Sequence, residues 1–170
     1  MSTTNKVNLD RLVAENCIKL FADYRLDVHA VGAEESLANR PFLVCGVVGF
    51  TSKHVRGALA LASTSEPLEL TSPDLTSHRD WVCELANQLL GRVKNQLLSR
   101  KVEVFASTPV ALRGEHLSPV RQQGQVADLF ITSGGAVCVW MDCEFEPDFE
   151  LPDGVVEEAS PLSEGEMVLF

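Results

Sequence analysis

Residues 81–94 read Trp81-Val-Cys-Glu84-Leu-Ala-Asn87-Gln-Leu-Leu-Gly91-Arg-Val-Lys94, and they are the most informative stretch of the chain. On a helix, which turns about 100° per residue, the apolar side chains of this stretch fall on one face. That face holds Val82, Leu85, Ala86, Leu89, Leu90, Val93 and Leu97. The opposite arc holds Glu84, Asn87, Gln88, Gly91 and Asn95. The period predicts a long amphipathic helix, over about residues 75–99, that buries one side and exposes a polar stripe.

Glu84 and Asn87 are the chemically informative pair of this stripe. They are three residues apart, so their side chains are neighbours on the helix surface. A carboxylate that can bind a cation and an amide that can position a water suit assisted hydrolysis of a bond held by another molecule. Gly91 costs about 1 kcal/mol relative to alanine in mid-helix, which invites an explanation by close approach of a partner. The alternative is an ordinary solvated helix face.

Strand patterns flank the long helix on both sides. A β-branched apolar run at 42–50 and an alternating run at 57–63 predict a hairpin. After the helix, residues 101–108 alternate, and Pro109 is expected to end that strand. Breaks between elements are predicted at 65–67 and 113–124, and residues 28–41 are interpreted as an irregular strand or a loop.

A second hairpin and a first helix complete the predicted elements. The turn Ser133-Gly134-Gly135 joins strands at 126–132 and 136–145. Helical spacing near the N-terminus predicts a helix over about 9–24, with Asn8 as its N-cap. The sum is an α+β fold, an antiparallel sheet packed with two main helices.

The charge of the chain is unevenly distributed. The formal net charge is −10, and residues 122–170 carry eleven Asp and Glu but no Lys or Arg. Without clustered cations, nucleic-acid binding is disfavoured. No apolar run approaches the roughly 18 residues of a membrane span, and residues 1–6 lack the apolar core of a signal peptide. These features predict a cytoplasmic protein that binds neither nucleic acid nor membrane.

The C-terminal region differs in composition from the rest. From Pro147 the chain is rich in Glu and Pro, which predicts loose packing or disorder over 147–165. We therefore predict a domain at 1–147 and an acidic tail at 148–170 that is dispensable for folding and activity. The apolar end, Met167-Val-Leu-Phe170, is the reservation, since it could dock on the sheet edge.

Other chemistries find little support. The five cysteines are scattered without metal-ligand spacing and are interpreted as reduced structural thiols, with a reactive Cys83 as the lesser alternative. The four histidines fall in predicted loops or helix starts, where solvated side chains are expected. The sequence contains no phosphate-binding glycine loop and no nucleophile elbow. No metal site and no cofactor of its own are predicted for this chain.

The segment Glu84-Leu-Ala-Asn87-Gln-Leu-Leu-Gly91-Arg-Val-Lys94 resembles the E-x-x-N-x-x-x-G-x-x-K signature of the CheX branch of the CheC/CheX/FliY phosphatases of bacterial chemotaxis. The upstream hairpin, from Gly46 through Gly57, and the strand that leads to Thr108-Pro109 are also similar to that family. The resemblance covers roughly residues 8–147. Cys83 stands where the family often has glycine.

The resemblance implies an enzyme that removes the phosphate from the aspartyl phosphate of a CheY-like receiver domain. It implies that Glu84 pairs with the receiver's lysine and that Asn87 aligns the attacking water, while Mg²⁺ belongs to the receiver. Gln88, Gly91 and Lys94 are the candidate partner-binding residues. One copy of the motif is present, as in CheX, and the resemblance also implies a homodimer. A non-catalytic receiver-binding module and an adaptor that acts through its acidic tail remain alternatives.

Overall fold

An antiparallel sheet with two long helices on one face forms the framework of the protein. The computed structural model describes residues 3–31, 40–73, 77–117 and 127–152. The elements within these ranges are α1 Thr3–Asp23, β1 His29–Val31, β2 Val44–Thr51, β3 Val55–Ser63, α2 Ser65–Thr71, α3 His78–Ser99, β4 Phe105–Ala106, β5 Val110–Arg113, β6 Asp128–Ile131 and β7 Ala136–Phe145. This is the predicted α+β class with two main helices, and the short α2 is added to it.

The sheet has the strand order β1-β6-β7-β3-β2-β4, and β5 also pairs with β2. Both predicted hairpins are present, as β2–β3 and β6–β7. β3 joins them by pairing with β7 along its whole length, from Val55↔Phe145 to Ser63↔Val137. Side chains alternate across the strands, so one face of this continuous sheet contributes to the core beneath the helices.

The rotation of α3 about its axis is fixed by its contact with β2. A Cβ atom at Gly46 would lie 2.5 Å from the carbonyl oxygen of Val82, so only glycine lets the helix lie this close to the strand. Leu85 and Leu89 are fully buried on the side of α3 that faces the sheet. Burial of each side chain contributes about 1.5–3 kcal/mol to the free energy of unfolding. The helix begins after Ser77, whose hydroxyl accepts a hydrogen bond from the Asp80 N–H. This packing leaves the polar stripe facing away from the sheet.

Helix α1 begins earlier than predicted, and Asn8 lies within it rather than at its N-cap. The added turn contains Asn5, which is buried although it is polar. Its amide nitrogen donates to the carbonyl oxygen of Phe149 (2.6 Å), and its amide oxygen accepts from the N–H of Leu151 (2.8 Å). A tertiary contact therefore extends the helix beyond the apolar period from which its start was predicted.

The same contact holds the chain that follows β7. Leu151 is buried in the main core, and the ring of Phe149 stacks on His54 with 4.5 Å between centroids. Residues 149–151 are thus packed against the domain, beyond the division predicted at residue 147. Residues 153–170, including the apolar end at Met167–Phe170, lie outside the described residues, so the acidic tail stays a prediction there.

Two further stretches differ from their predictions. Helix α2 lies where a break was predicted at 65–67. Pro67 is in the first turn of this helix, where proline is tolerated, so it does not prevent the helix from forming. The strand predicted at 101–108 is reduced to β4, and the chain pairs with β2 again as β5 after Pro109. Proline lacks an N–H and so interrupts this pairing without ending it.

Candidate functional site

The exposed stripe of α3 brings the predicted site residues together. Glu84 and Asn87 are exposed one turn apart, and Gln88, Gly91 and Lys94 are partly buried along the same surface. The side of the helix that faces the core holds Trp81, Val82, Leu85, Ala86, Leu89, Leu90, Val93 and Leu97. The division of the helix into a buried and an exposed arc therefore follows the prediction. The chemical roles of the stripe residues stay predictions.

Asn87 is an exposed polar group of the stripe. Its amide makes no hydrogen bond to any residue in the described part of the chain, and its side chain faces solvent. An amide carries two donors and an acceptor, so a free one can hold a water by two hydrogen bonds. The helix beneath it is packed against the core through Ala86 and Leu90, which are both buried.

Gly91 leaves an open place one turn beyond Asn87. A Cβ atom added there would meet no atom within 4 Å among the described residues. Gly46 shows the opposite situation, since its missing side chain is required by α3. The helical penalty of Gly91, about 1 kcal/mol, thus has no compensation inside the described part of the chain.

Glu84 is oriented by a chain of hydrogen bonds that the sequence did not predict. The amide nitrogen of Gln88 donates to Glu84 Oε1, and the Tyr24 hydroxyl donates to Gln88 Oε1, both at 2.8 Å. Tyr24 is the last residue of the helix predicted over 9–24, and no role in the site was predicted for it. No local signal links it to Gln88, because the two residues are 64 positions apart.

The end of α1 is fixed to the site helix by two more contacts. Arg92, one turn after Gln88, forms an ion pair with Asp23, with 2.6 Å between nitrogen and oxygen. The ring of Tyr24 meets Trp81 edge-on, with 5.5 Å between centroids. The indole N–H of Trp81 in turn donates to the buried hydroxyl of Thr71 at 2.8 Å. All three helices therefore meet beside the stripe.

The structure also bears on a reactive cysteine, a metal site and a membrane span. Burial raises the pKa of the Cys83 thiol, with a smaller contribution from Asp80, and a raised pKa opposes thiolate reactivity. Among the described residues there is no group of three or more His, Cys, Asp and Glu that could hold a metal ion. Within the same ranges, no helix combines the length and the apolar character needed to cross a membrane.

Comparison with known proteins identifies the fold. No family model matches the sequence, and no curated protein matches it. Solved structures do match over most of the chain. CheX from Vibrio vulnificus superposes with a TM-score of 0.67 at 17% identity, covering 81% of this chain and 99% of that one. The chain has a CheX/CheC-like fold.

Two other structures extend this likeness. A chemotactic CheC-like protein from Shewanella oneidensis matches with a TM-score of 0.62 at 22% identity, covering 82% of this chain and 98% of the other. CheX in the CheX–CheY–BeF₃–Mg²⁺ complex from Borrelia burgdorferi matches with a TM-score of 0.55 at 14% identity, covering 79% and 96%. At these identities the likeness concerns the fold, and the function must be argued from the site.

Proposed function

We propose that the protein is a phosphatase that accelerates hydrolysis of the aspartyl phosphate on a CheY-like receiver domain. The observation that carries the proposal is the stripe of α3, where an oriented carboxylate at Glu84 and a free amide at Asn87 stand one turn apart. The stripe lies on the outer face of a helix, with Glu84 and Asn87 exposed, which suits a substrate that is itself a folded protein.

Asn87 is the proposed catalytic residue. An acyl phosphate held on Mg²⁺ in a receiver needs a water placed in line with the bond that breaks. Fixing that water supplies orientation, and a hundredfold acceleration requires only about 2.7 kcal/mol. An amide that has no internal partner can supply this through hydrogen bonds, and no titrating base is needed. The metal belongs to the receiver in this proposal.

Glu84 is the proposed docking residue. Its carboxylate would pair with a receiver lysine, and such a pair stabilises the complex when the interface excludes water. Gly91, two turns further along α3, allows the partner backbone to approach the helix closely, and Lys94 borders the same surface. The Borrelia CheX bound to CheY with BeF₃ and Mg²⁺ supports a receiver as the partner class.

The test is a phosphate-release assay with phosphorylated CheY-like receivers. We expect the protein to accelerate dephosphorylation and Asn87→Ala to abolish the acceleration while binding persists, because the amide acts on the water in the transition state. Asn95→Ala is the matched control, since Asn95 is an exposed asparagine two turns further along the helix. Full activity of Asn87→Ala would remove that residue from the mechanism.

The same assay separates the alternatives. A receiver-binding module without catalysis would bind the phosphorylated receiver and leave its dephosphorylation rate unchanged. An adaptor that acts through its acidic tail would lose binding when residues 153–170 are removed, and Asn87→Ala would change nothing. The proposed phosphatase requires turnover that survives this truncation.

The proposed homodimer and cytoplasmic location follow from the same reading. Receiver signalling takes place in the cytoplasm, and short exposed edge strands such as β5 are surfaces on which sheets of two copies pair. Light scattering should give a mass near twice the 18.6 kDa of one chain. A mass near 18.6 kDa at all concentrations would contradict the dimer.

A further inference from the structure

We propose that Tyr24 and Gln88 are positioning residues that fix the Glu84 carboxylate, so that the end of α1 sets how firmly the site binds a receiver. This inference rests on the proposed function and deepens it. It also changes the reading of Gln88 from a residue that contacts the partner to one that acts through Glu84.

The direction of the hydrogen bonds follows from the chemistry of the three side chains. A carboxylate only accepts hydrogen bonds, so the amide nitrogen of Gln88 must face Glu84. The amide oxygen of Gln88 then points to Tyr24, whose hydroxyl must donate to it. Turning the amide round would place its oxygen against the carboxylate. The chain Tyr24–Gln88–Glu84 therefore has one consistent arrangement.

Tyr24 is a firm anchor for this chain. It follows the last residue of α1, and its ring is held edge-on against Trp81. The Asp23–Arg92 ion pair ties the preceding residue to α3. The next residue, Arg25, has φ of 60°, which turns the backbone sharply after the helix. The hydroxyl is thus delivered to Gln88 by a fixed backbone.

Fixing Glu84 in advance affects binding more than chemistry. A free glutamate on a helix surface samples several rotamers, and immobilising it on association costs about 0.5–1.5 kcal/mol. Hydrogen bonding to Gln88 reduces that loss because the side chain is already held. We therefore expect the hydrogen-bond chain Tyr24–Gln88–Glu84, called the relay below, to lower KM for the phosphorylated receiver and to leave kcat nearly unchanged.

The test is a double-mutant cycle in the phosphate-release assay. Tyr24→Phe removes the hydroxyl and keeps the ring against Trp81, so the melting temperature should barely change. It should raise KM about three- to tenfold with kcat unchanged. In the Glu84→Ala background the same substitution should have no further effect, because the group it positions is gone. Ser99→Ala, which removes an exposed hydroxyl at the far end of α3, is the control and should leave KM unchanged.

Each other outcome has a definite meaning. If Tyr24→Phe leaves KM unchanged while Glu84→Ala raises it, the relay is wrong and the proposed docking role stands. If Tyr24→Phe raises KM equally in both backgrounds, its effect does not pass through Glu84 and the inference fails. If neither Glu84→Ala nor Asn87→Ala changes the kinetics, the proposed function itself fails.

Discussion

Two polar regions of this protein look alike in sequence and behave differently in the structure. The stripe of α3 and the segment at 147–152 both carry acidic side chains, Glu84 in the stripe and Asp148 and Glu150 in the segment. In the described part of the chain, the Asn87 side chain has no hydrogen-bond partner, and a Cβ atom added at Gly91 would meet no atom within 4 Å. In the C-terminal segment, Leu151 is buried and its backbone is hydrogen-bonded to Asn5.

The difference teaches how to separate structural from functional polarity. Where polar groups are satisfied within the fold, their removal is expected to reduce stability. Where they are unsatisfied and costly to the helix, their removal is expected to reduce binding or turnover and to spare the fold. The following predictions test this contrast.

The largest effect is expected from shortening the chain at its C-terminal segment. Truncation after Pro147 removes the buried Leu151 and leaves the buried amide of Asn5 without partners. We expect a loss of about 3–5 kcal/mol in the free energy of unfolding. Urea denaturation measures it. This reverses the expectation from composition that the chain beyond residue 147 is dispensable.

Truncation after Pro152 is the matched control for that experiment. It keeps Phe149 and Leu151 and removes only the residues beyond them. Its free energy of unfolding should stay within about 0.5 kcal/mol of the full chain. Equal stability of all three chains would show that the contacts of Asn5 contribute nothing.

A smaller effect of opposite sign is expected at Gly91. Gly91→Ala should stabilise the protein by about 0.5–1 kcal/mol, because alanine fits the open space and favours the helix. The same change should weaken receiver binding at least about threefold if a partner packs against this position. Thermal unfolding and receiver titration measure the two effects.

Asn95→Ala serves as the control for Gly91→Ala. It also replaces a poor helix former on the stripe, one turn further along, and should stabilise the helix without weakening the complex. If Gly91→Ala binds the receiver as tightly as the unchanged protein, the partner does not approach α3 closely at this position.

An effect of similar size concerns a carboxyl group that belongs to neither region. Burial, together with Asp128, raises the pKa of Asp10 to about 6, and Lys6 opposes the shift. The folded state therefore binds the proton more tightly, so this stabilisation is complete below about pH 4 and is lost as pH rises through 6. At pH 7–8 the carboxyl group is charged and partly buried, so Asp10→Asn should raise the free energy of unfolding. We expect a gain of about 1 kcal/mol, because solvent screens the charge and makes its burial less costly.

Stability measured by urea between pH 4 and 8 checks the prediction for Asp10. The variant should lose the decline in stability between pH 4 and 6 that Asp10 causes. An unchanged pH profile would show that Asp10 has the same proton affinity in the folded and unfolded chains.

Periodicity predicted the parts of the fold that are long and repetitive. The buried arc of α3 and the β6–β7 hairpin follow from local spacing, because an apolar face or a tight turn is encoded within a few residues. The early start of α1 was missed because its cause, Asn5, has partners near residue 150. Strand β5 was missed because Pro109 was taken as an end, whereas the pairing resumes with the same neighbour.

The candidate site shows the same limit. Glu84 and Asn87 were recognisable from their spacing on one helix, and the open place at Gly91 was anticipated from the cost of glycine there. Tyr24 was not recognisable as part of the site, since its hydrogen bond to Gln88 depends on how α1 packs against α3. Side chains from another element enter a site through tertiary packing, and one sequence carries no record of it.

The hydrogen bond between Asn5 and Leu151 joins residues 146 positions apart, and this has a consequence for synthesis of the protein on the ribosome. The first turn of α1 emerges before the strands, but the groups that satisfy its buried amide emerge only after β7. Helix α1 can pack against the strands as they are synthesised. The core is completed only when Leu151 has left the ribosome and can be buried beside the first turn of α1. Such distant contacts slow folding. Helix α1 is therefore made before the strands that it packs against, and it is secured only after all of them have emerged.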